Sequence, residues 1–327
     1  MNSSSTLLND FYTPIRDDLR VAERIFDREL VGDLACVESL VGRVQAYRGK
    51  MLRPALLLLS ARACGRVQPT HHTLAAVVEM VHIATLVHDD VLDRADERRR
   101  RPTICATDGN IAAVLLGDYL ISHAFHLCSG LNDQHASRRI GATTNTVCEG
   151  ELLQNALSGD DDLDEETYLD IIRRKTGTLT ACCGELGAHY AGADQHTADR
   201  FFEFGMAAGA AFQIVDDVLD IVGNGREVGK TLDRDLALGK LTLPTIHALR
   251  NAGPDVVHAL RAAVRGQDLL DPRRLRQWLT DSGSIEYALS LARQFVHDAL
   301  RCLDAVAPGE AKSALTAMAE FIVARRF

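Results

Sequence analysis

Two copies of one pentapeptide carry the chemistry of this sequence. Asp89, Asp90 and Asp93 stand in DDVLD, and the same five residues return with Asp216, Asp217 and Asp220. Each copy interrupts an apolar run, EMVHIATLVHDD in the first case and AFQIVDDVLDIV in the second. Residues four apart stand one above the other on a helix, so Asp89 and Asp93 present two carboxylates to the same side. Ionised carboxylates in apolar surroundings are costly unless something cationic compensates them. A lone cluster would read as a solvated acidic patch, but two identical clusters in two apolar helices do not. Clustered oxygen donors suit a hard divalent cation, and Mg²⁺ typically combines a few carboxylates with waters and substrate phosphates. Arg98, Arg99, Arg100 and Arg101 follow the first cluster and offer guanidinium forks that match a diphosphate. The pattern points to a metal-bridged diphosphate site.

The rest of the composition bounds this reading. The formal charge is −9 over 327 residues, which argues against general affinity for nucleic acid. An acidic chain that handles diphosphates must do so through metal ions and a local basic patch. The eight cysteines show no CxxC spacing, and Cys182 and Cys183 are neighbours whose side chains diverge on a helix. That usage predicts reduced thiols and a cytoplasmic protein. The start, MNSSSTLLNDFYTPIRDD, has neither the basic end nor the apolar core of an export signal. Apolar runs such as ALLLL at 55–59 fall short of a membrane span, so a soluble chain without a transmembrane segment is expected.

The elements that must position these residues read as helix after helix. Residues 1–5 are polar and expected to be mobile. Helical patterns cover about 6–30 and 33–47, and a third runs from near Pro54 to Cys64, where Gly65 stops it. The helix carrying the first cluster is expected over 71–96, with RRRRPT as the loop after it. Further helices are expected at 108–130, 135–158, 164–191 and 196–223. From about 231 onward, Gly-Pro, Asp-Pro and Ser-Gly signals separate several shorter ones. No stretch shows sustained strand alternation, and no low-complexity linker divides the chain. One all-α domain over 1–327 is the simplest architecture. The acidic run Asp160–Glu166 precedes a helical pattern, where acids complement the positive end of the macrodipole, and it lacks the form of a calcium loop.

Several motifs stand in an order that resembles the (E)-polyprenyl diphosphate synthases, trans-prenyltransferases of the polyprenyl synthetase family. GKMLRP at 49–54 is similar to the family's GGKRxRP element. EMVHIATLVHDD matches the helix entering the first aspartate motif, and DRADERRRRPT matches its exit. GDYL at 117–120, EGELLQ at 149–154, RRKTG at 173–177, FQIVDD at 212–217 and GKTLDRDLALGKLTLP at 229–244 follow in turn. The resemblance implies a large helical bundle of the class I isoprenoid synthase type around a central active-site cavity. It implies that Asp89, Asp93 and Asp216 hold several Mg²⁺ ions on an allylic diphosphate, with Asp90, Asp217 and Asp220 close by. Arg98, Lys175, Lys230 and Lys240 would bind the same diphosphate. Isopentenyl diphosphate would sit metal-free against Gly49, Lys50, Arg53, His82 and Arg99. Thr176 and Gln213 would offer oxygen dipoles to an allylic cation.

The division of labour has a chemical reason. One diphosphate must leave and needs metal; the other stays attached and needs only cationic recognition. Product length would be set four and five residues before the first aspartate, at Thr85 and Ala84. Both are small, which predicts a hexaprenyl or longer product, with geranylgeranyl or farnesylgeranyl diphosphate as the shorter alternative. A homodimer packed through helix 108–130 is also implied, using Ile111, Val114, Leu115 and Phe125.

The sequence departs from the family pattern in four places. Arg48 replaces the first glycine of the GGKRxRP element and Met51 a common arginine. Arg100 stands where glycine usually follows the arginine pair, and Gly177 where alanine is commoner; a helix kink is expected there. Three rival functions are weaker. A terpene cyclase normally lacks a second DDxxD, a head-to-head synthase lacks the GKxxRP element, and non-catalytic partner subunits usually lose acidic motifs.

Overall fold

The structure is a computed structural model that describes residues 11–44, 47–223, 234–268 and 270–325. The expected mobility of residues 1–5 and the start of the first helix therefore lie outside the described residues. The chain is all-α. A 3₁₀ turn at Thr13–Ile15 leads into α1 (Arg16–Glu29), then α2 (Ala35–Val44), α3 (Leu52–Cys64) and α4 (Pro69–Leu92). A two-residue hairpin follows, β1 (Glu97–Arg98) with β2 (Arg101–Pro102), and then α5 (Ile104–Asp108), α6 (Asn110–Ser129) and α7 (His135–Ala156). Beyond these come α8 (Glu165–Ile172), α9 (Thr178–Tyr190) and α10 (Gln195–Val222). The last part holds α11 (Arg234–Ala237), α12 (Leu243–Asn251), α13 (Pro254–Val264), α14 (Pro272–Asp281), α15 (Ser284–Cys302) and α16 (Glu310–Ala324).

Helix α4 runs through the middle, packed against α6, α1 and α3, while α9 lies between α3 and α10 and α10 between α9 and α15. Their sequences explain the placement. A helix apolar on nearly every side has to be surrounded, and α4 buries Leu74 through Val81, Ile83, Ala84 and Val87. Leu56, Leu57, Leu58 and Leu59 of α3 are buried in the same way.

Punctuation in the last third was legible. Pro254 and Pro272 each open a helix, and the Asp271 carboxylate accepts the backbone N–H of Arg273 at 2.9 Å. The acidic run at 160–166 is structural, as expected. Asp164 caps α8 by accepting from the Thr167 backbone N–H at 2.8 Å, and buried Asp161 accepts from Arg261 and Arg265 at 2.9 and 3.0 Å. All eight cysteines are free.

Three expectations need correction. The central helix ends at Leu92 rather than 96, because Asp93 is its C-cap and Arg94 turns left-handed at φ 53°. The arginine loop is a hairpin, with Glu97 opposite Pro102 and Arg98 opposite Arg101. Its two turn residues, Arg99 and Arg100, have φ 51° and 63°. Tight hairpins require this sense of twist, and Asn or Gly usually supplies it. Arginine there carries roughly 1 kcal/mol or more of backbone strain, so the departure at Arg100 is a strained one. The helix expected over 164–191 is two helices joined by a π-helical turn, Arg173–Gly177.

Helix α6 also departs from the expectation about membrane spans. Its twenty residues are long and apolar enough, by length and composition, to cross a bilayer, although Asp118 lies within it. Its outer face leaves Ile111 79% and Leu115 61% exposed, with Val114 and Phe125 beside them.

Candidate active site

The two aspartate clusters face one cavity of about 710 Å³. Helix α4 brings Asp89 and Asp93 to it and α10 brings Asp216, Asp217 and Asp220. The π-helical turn adds Lys175 and Thr176, and the loop before α12 adds Lys240. A wider turn re-aims side chains that an α-helix would stack regularly. Room for it comes from glycine: a Cβ on Gly150 of α7 would stand 2.7 Å from Arg174 Cβ and 3.0 Å from the Lys175 nitrogen. Alanine at Gly177, the family's commoner choice, would put its Cβ 2.6 Å from Met206 Sδ, at the soft end of a flexible side chain.

The carboxylates have distinct neighbours. Burial pushes Asp89 up to about 6, and nearby Glu151 and Asp93 push the same way while Lys175 opposes them. Like charges held together in a half-dry cleft call for a cation. Asp93 accepts from Lys240 Nζ at 2.5 Å, and Asp216 accepts from Arg325 Nη1 at 2.6 Å. Asp217 is buried, accepting from the Tyr168 hydroxyl at 2.6 Å and from Gln213 Nε2 at 2.8 Å. Burial and Asp235 raise its pKa well above the usual carboxylate range.

Asp90 is the sequence-predicted metal residue that the structure places elsewhere. It is buried, does not line the cavity, and accepts from Arg98 Nε at 2.9 Å and from the Tyr47 hydroxyl at 2.7 Å. Adjacent residues on a helix point about 100° apart, and here Asp89 faces the cavity while Asp90 turns toward the hairpin and Tyr47. Asp90 instead aims Arg98. Burial works against the Arg98 charge, but the bonds and charge of Asp90 outweigh it and raise its pKa.

Cationic groups gather on the neighbouring wall. Gly49, Lys50, Arg53, His82 and Arg99 all line the cavity. A Cβ on Gly49 would lie 2.6 Å from Arg99 Nη2, so only glycine lets that guanidinium settle there; Arg99 also donates to the Tyr47 carbonyl at 3.0 Å. Arg53 Nη1 lies 3.1 Å from His82 Nε2. Burial, followed by Arg53 and Arg99, holds His82 well below its ordinary pKa, so the ring is neutral and its Nε2 accepts from Arg53. Met51, the departure in this element, is buried at φ 54° and serves as the N-cap of α3. His88 has no part here and turns to α6, 3.1 Å from the Val114 carbonyl.

Thr176 donates to Gln213 Oε1 at 2.8 Å, which leaves the lone pairs of its hydroxyl for another partner. Lys175 donates to Gln154 at 2.6 Å and pairs with Glu151. Thr85 lines the cavity, whereas Ala84 is fully buried and does not. Lys230 lies outside the described residues. Sequence reading missed Glu79, Glu151, Tyr168, Asp235 and Arg325, all of which line the cavity. Glu151 and Asp235 stood inside quoted motifs, but Arg325 carried no local signal near the end of the chain.

The donor set fits Mg²⁺. Asp89, Asp93, Asp216 and Asp220 present hard oxygen atoms to one space. Among the described residues no three carboxylate, histidine or cysteine side chains converge on a single point. Mg²⁺ bound by such carboxylates would complete its shell with water and substrate phosphate oxygens.

Known proteins resemble this chain in sequence and in fold. The family model described as polyprenyl synthetase matches residues 36–281. The octaprenyl diphosphate synthase of Escherichia coli (strain K12) is 32% identical over 300 residues, covering 91% of this chain and 92% of that one. Heptaprenyl diphosphate synthase component 2 of Bacillus subtilis (strain 168) is 32% identical, covering 97% and 90%. A crystal structure of a polyprenyl synthase from Caulobacter crescentus CB15, complexed with calcium and isoprenyl diphosphate, superposes with a TM-score of 0.94 at 32% identity, covering 98% of both chains.

Proposed function

The chain belongs to the polyprenyl synthetase family and is a prenyltransferase, and from that premise we propose that it extends an allylic diphosphate with isopentenyl diphosphate to a hexaprenyl or longer all-trans product. One observation carries the reading: a single cavity joins a carboxylate wall, able to hold a metal-bridged leaving group, to a cationic wall able to hold a diphosphate without metal. The long relatives, named octaprenyl and heptaprenyl synthases, support the product length. So does small Thr85 on the cavity wall.

Asp89, Asp93, Asp216 and Asp220 would hold Mg²⁺, with Asp217 behind them. Bound there, the ions supply positive charge to the diphosphate that departs. Arg98, aimed by Asp90, and Lys175 and Lys240 share that charge and orient the group. Lys230 has the matching motif position. Thr176 and Gln213 turn oxygen dipoles toward the carbon that becomes cationic. Gly49, Lys50, Arg53, His82 and Arg99 hold isopentenyl diphosphate so that its double bond meets that carbon. The isopentenyl double bond is the nucleophile and the proton lost on elimination passes to the departing diphosphate, so neither a protein nucleophile nor a protein base takes part.

The test is an assay of the purified chain with farnesyl diphosphate, isopentenyl diphosphate and Mg²⁺. The expected result is extension to six or more isoprene units. A geranylgeranyl or farnesylgeranyl product would overturn the length, and activity only on adding a second protein would favour a heteromer, as the name of the component 2 relatives raises.

The exposed apolar face of α6 supports a homodimer, since a second copy would cover Ile111, Val114, Leu115 and Phe125. Light scattering is expected to give about twice the 35.7 kDa chain mass; a monomer at assay concentration would overturn it. Eight free thiols fit a reducing, cytoplasmic location.

A further inference from the structure

Glu79 is the acid on the cationic wall that no step of the mechanism uses. It stands on α4, 1% exposed, and its side chain reaches the same cavity as Arg53, His82 and Arg99. Around it the cations are poorly satisfied. Among the described residues Arg53 keeps a buried Nε–H with no partner; the Nε–H of Arg48 is buried in the same way, but that side chain lies off the cavity wall and pairs with Asp27. Buried donors of this kind mark places where an acceptor is still to come. A diphosphate would supply such acceptors, but it would also bring two or more negative charges beside Glu79.

The groups facing Glu79 come from every element around it. Arg53 on α3, Arg48 in the preceding loop and Arg99 in the hairpin favour its charged form, while burial and Glu23 on α1 oppose it. Burial dominates and holds the carboxyl up at about 7. Tyr12 and Cys183 also feel its charge, and both are themselves pushed up by burial and stay neutral. His82, one turn along α4, is neutral as well. Glu79 is thus a group of this wall whose charge can change near neutrality, beside Lys50, whose pKa burial, followed by Arg325 and Arg99, lowers from its ordinary value; Glu79 lies well away from the aspartate clusters in the chain.

We propose that Glu79 is an exchangeable counter-charge: ionised, it balances Arg53 and Arg99 on the cavity wall before substrate binds, and it takes a proton from solvent when the substrate diphosphate enters. The bond formed is the Glu79 O–H, solvent loses the proton, and no other co-reactant is needed. Glu79 acts through the guanidinium groups rather than on the substrate: ionised, it offsets their field before binding, and neutral, it leaves that field to the diphosphate. Substrate of this kind would then bind more weakly as pH rises through 7, because an ionised Glu79 must first be protonated. The inference rests on the proposed isopentenyl diphosphate pocket.

Titration calorimetry with isopentenyl diphosphate, without metal, at pH 6.5, 7.5 and 8.5 and in buffers of different ionisation enthalpy tests it. The wild type is expected to take up most of one proton more at pH 8.5 than Glu79→Gln does. Its affinity should fall about tenfold relative to the variant between pH 6.5 and 8.5. Equal proton counts with equal pH slopes would overturn the proposal, as would a variant weakened alike at every pH, the mark of a merely structural residue. Binding in both proteins without the difference leaves the pocket assignment standing. No saturable binding to the wild type overturns the pocket assignment and the proton coupling together. Should Glu79→Gln not fold, infrared difference spectra of the wild type at pH 8 decide: a protonated carboxyl band must appear on adding isopentenyl diphosphate, and its absence refutes the coupling.

Discussion

Asp89→Ala and Asp216→Ala are each expected to lower turnover by roughly a thousandfold at saturating Mg²⁺, with the fold intact. Removing a carboxylate that holds metal-borne charge costs several kcal/mol of stabilisation for the leaving group, and about 1.4 kcal/mol is a factor of ten in rate. Both side chains line the cavity, and neither belongs to the buried core. Asp90→Ala should behave differently. It leaves the clusters on the cavity wall alone but frees the Arg98 guanidinium, so its main effect is expected on KM for the allylic diphosphate. Steady-state kinetics with circular dichroism as the folding control separate these outcomes. Near-normal turnover in either Asp89→Ala or Asp216→Ala would remove the two-cluster mechanism.

Thr85→Phe is expected to cut the product to one or two condensations while the first still proceeds. Thr85 is one helical turn before Asp89, roughly 5 Å along α4, and it lines the cavity, as Val147 and Ile172 do. A phenyl ring there occupies the space that the growing tail needs. The neighbouring position is expected to fail in another way. Ala84 is fully buried and off the cavity wall, so Ala84→Phe would overpack the core at a cost of about 1–3 kcal/mol. Chromatography of the products and thermal denaturation of both variants distinguish the two effects. A wild-type product distribution from Thr85→Phe would show that the tail takes another route.

What the sequence determined by itself was the chemistry and the helices. Repeated carboxylates in apolar helical runs state a need for cations whatever the fold, because burying charge is costly in any surroundings. Helix extents followed from apolar periodicity and from Pro and Gly signals, as at Pro254, Pro272 and Gly65. What only the tertiary structure decided were the directions in which side chains point and the partners found far along the chain. Helical spacing already set Asp89 and Asp93 apart from Asp90, but that Asp90 turns to Arg98 and Tyr47 was decided by packing. Asp216 meets Arg325 across 109 residues, a contact that no local pattern can encode. A kink was expected at Gly177, but its form, a π-helical turn over Arg173–Gly177, was not legible, nor was the strained hairpin at Arg99 and Arg100. In each case packing against neighbouring helices overrode the local preference of the chain, and that free energy exists only once distant segments have met.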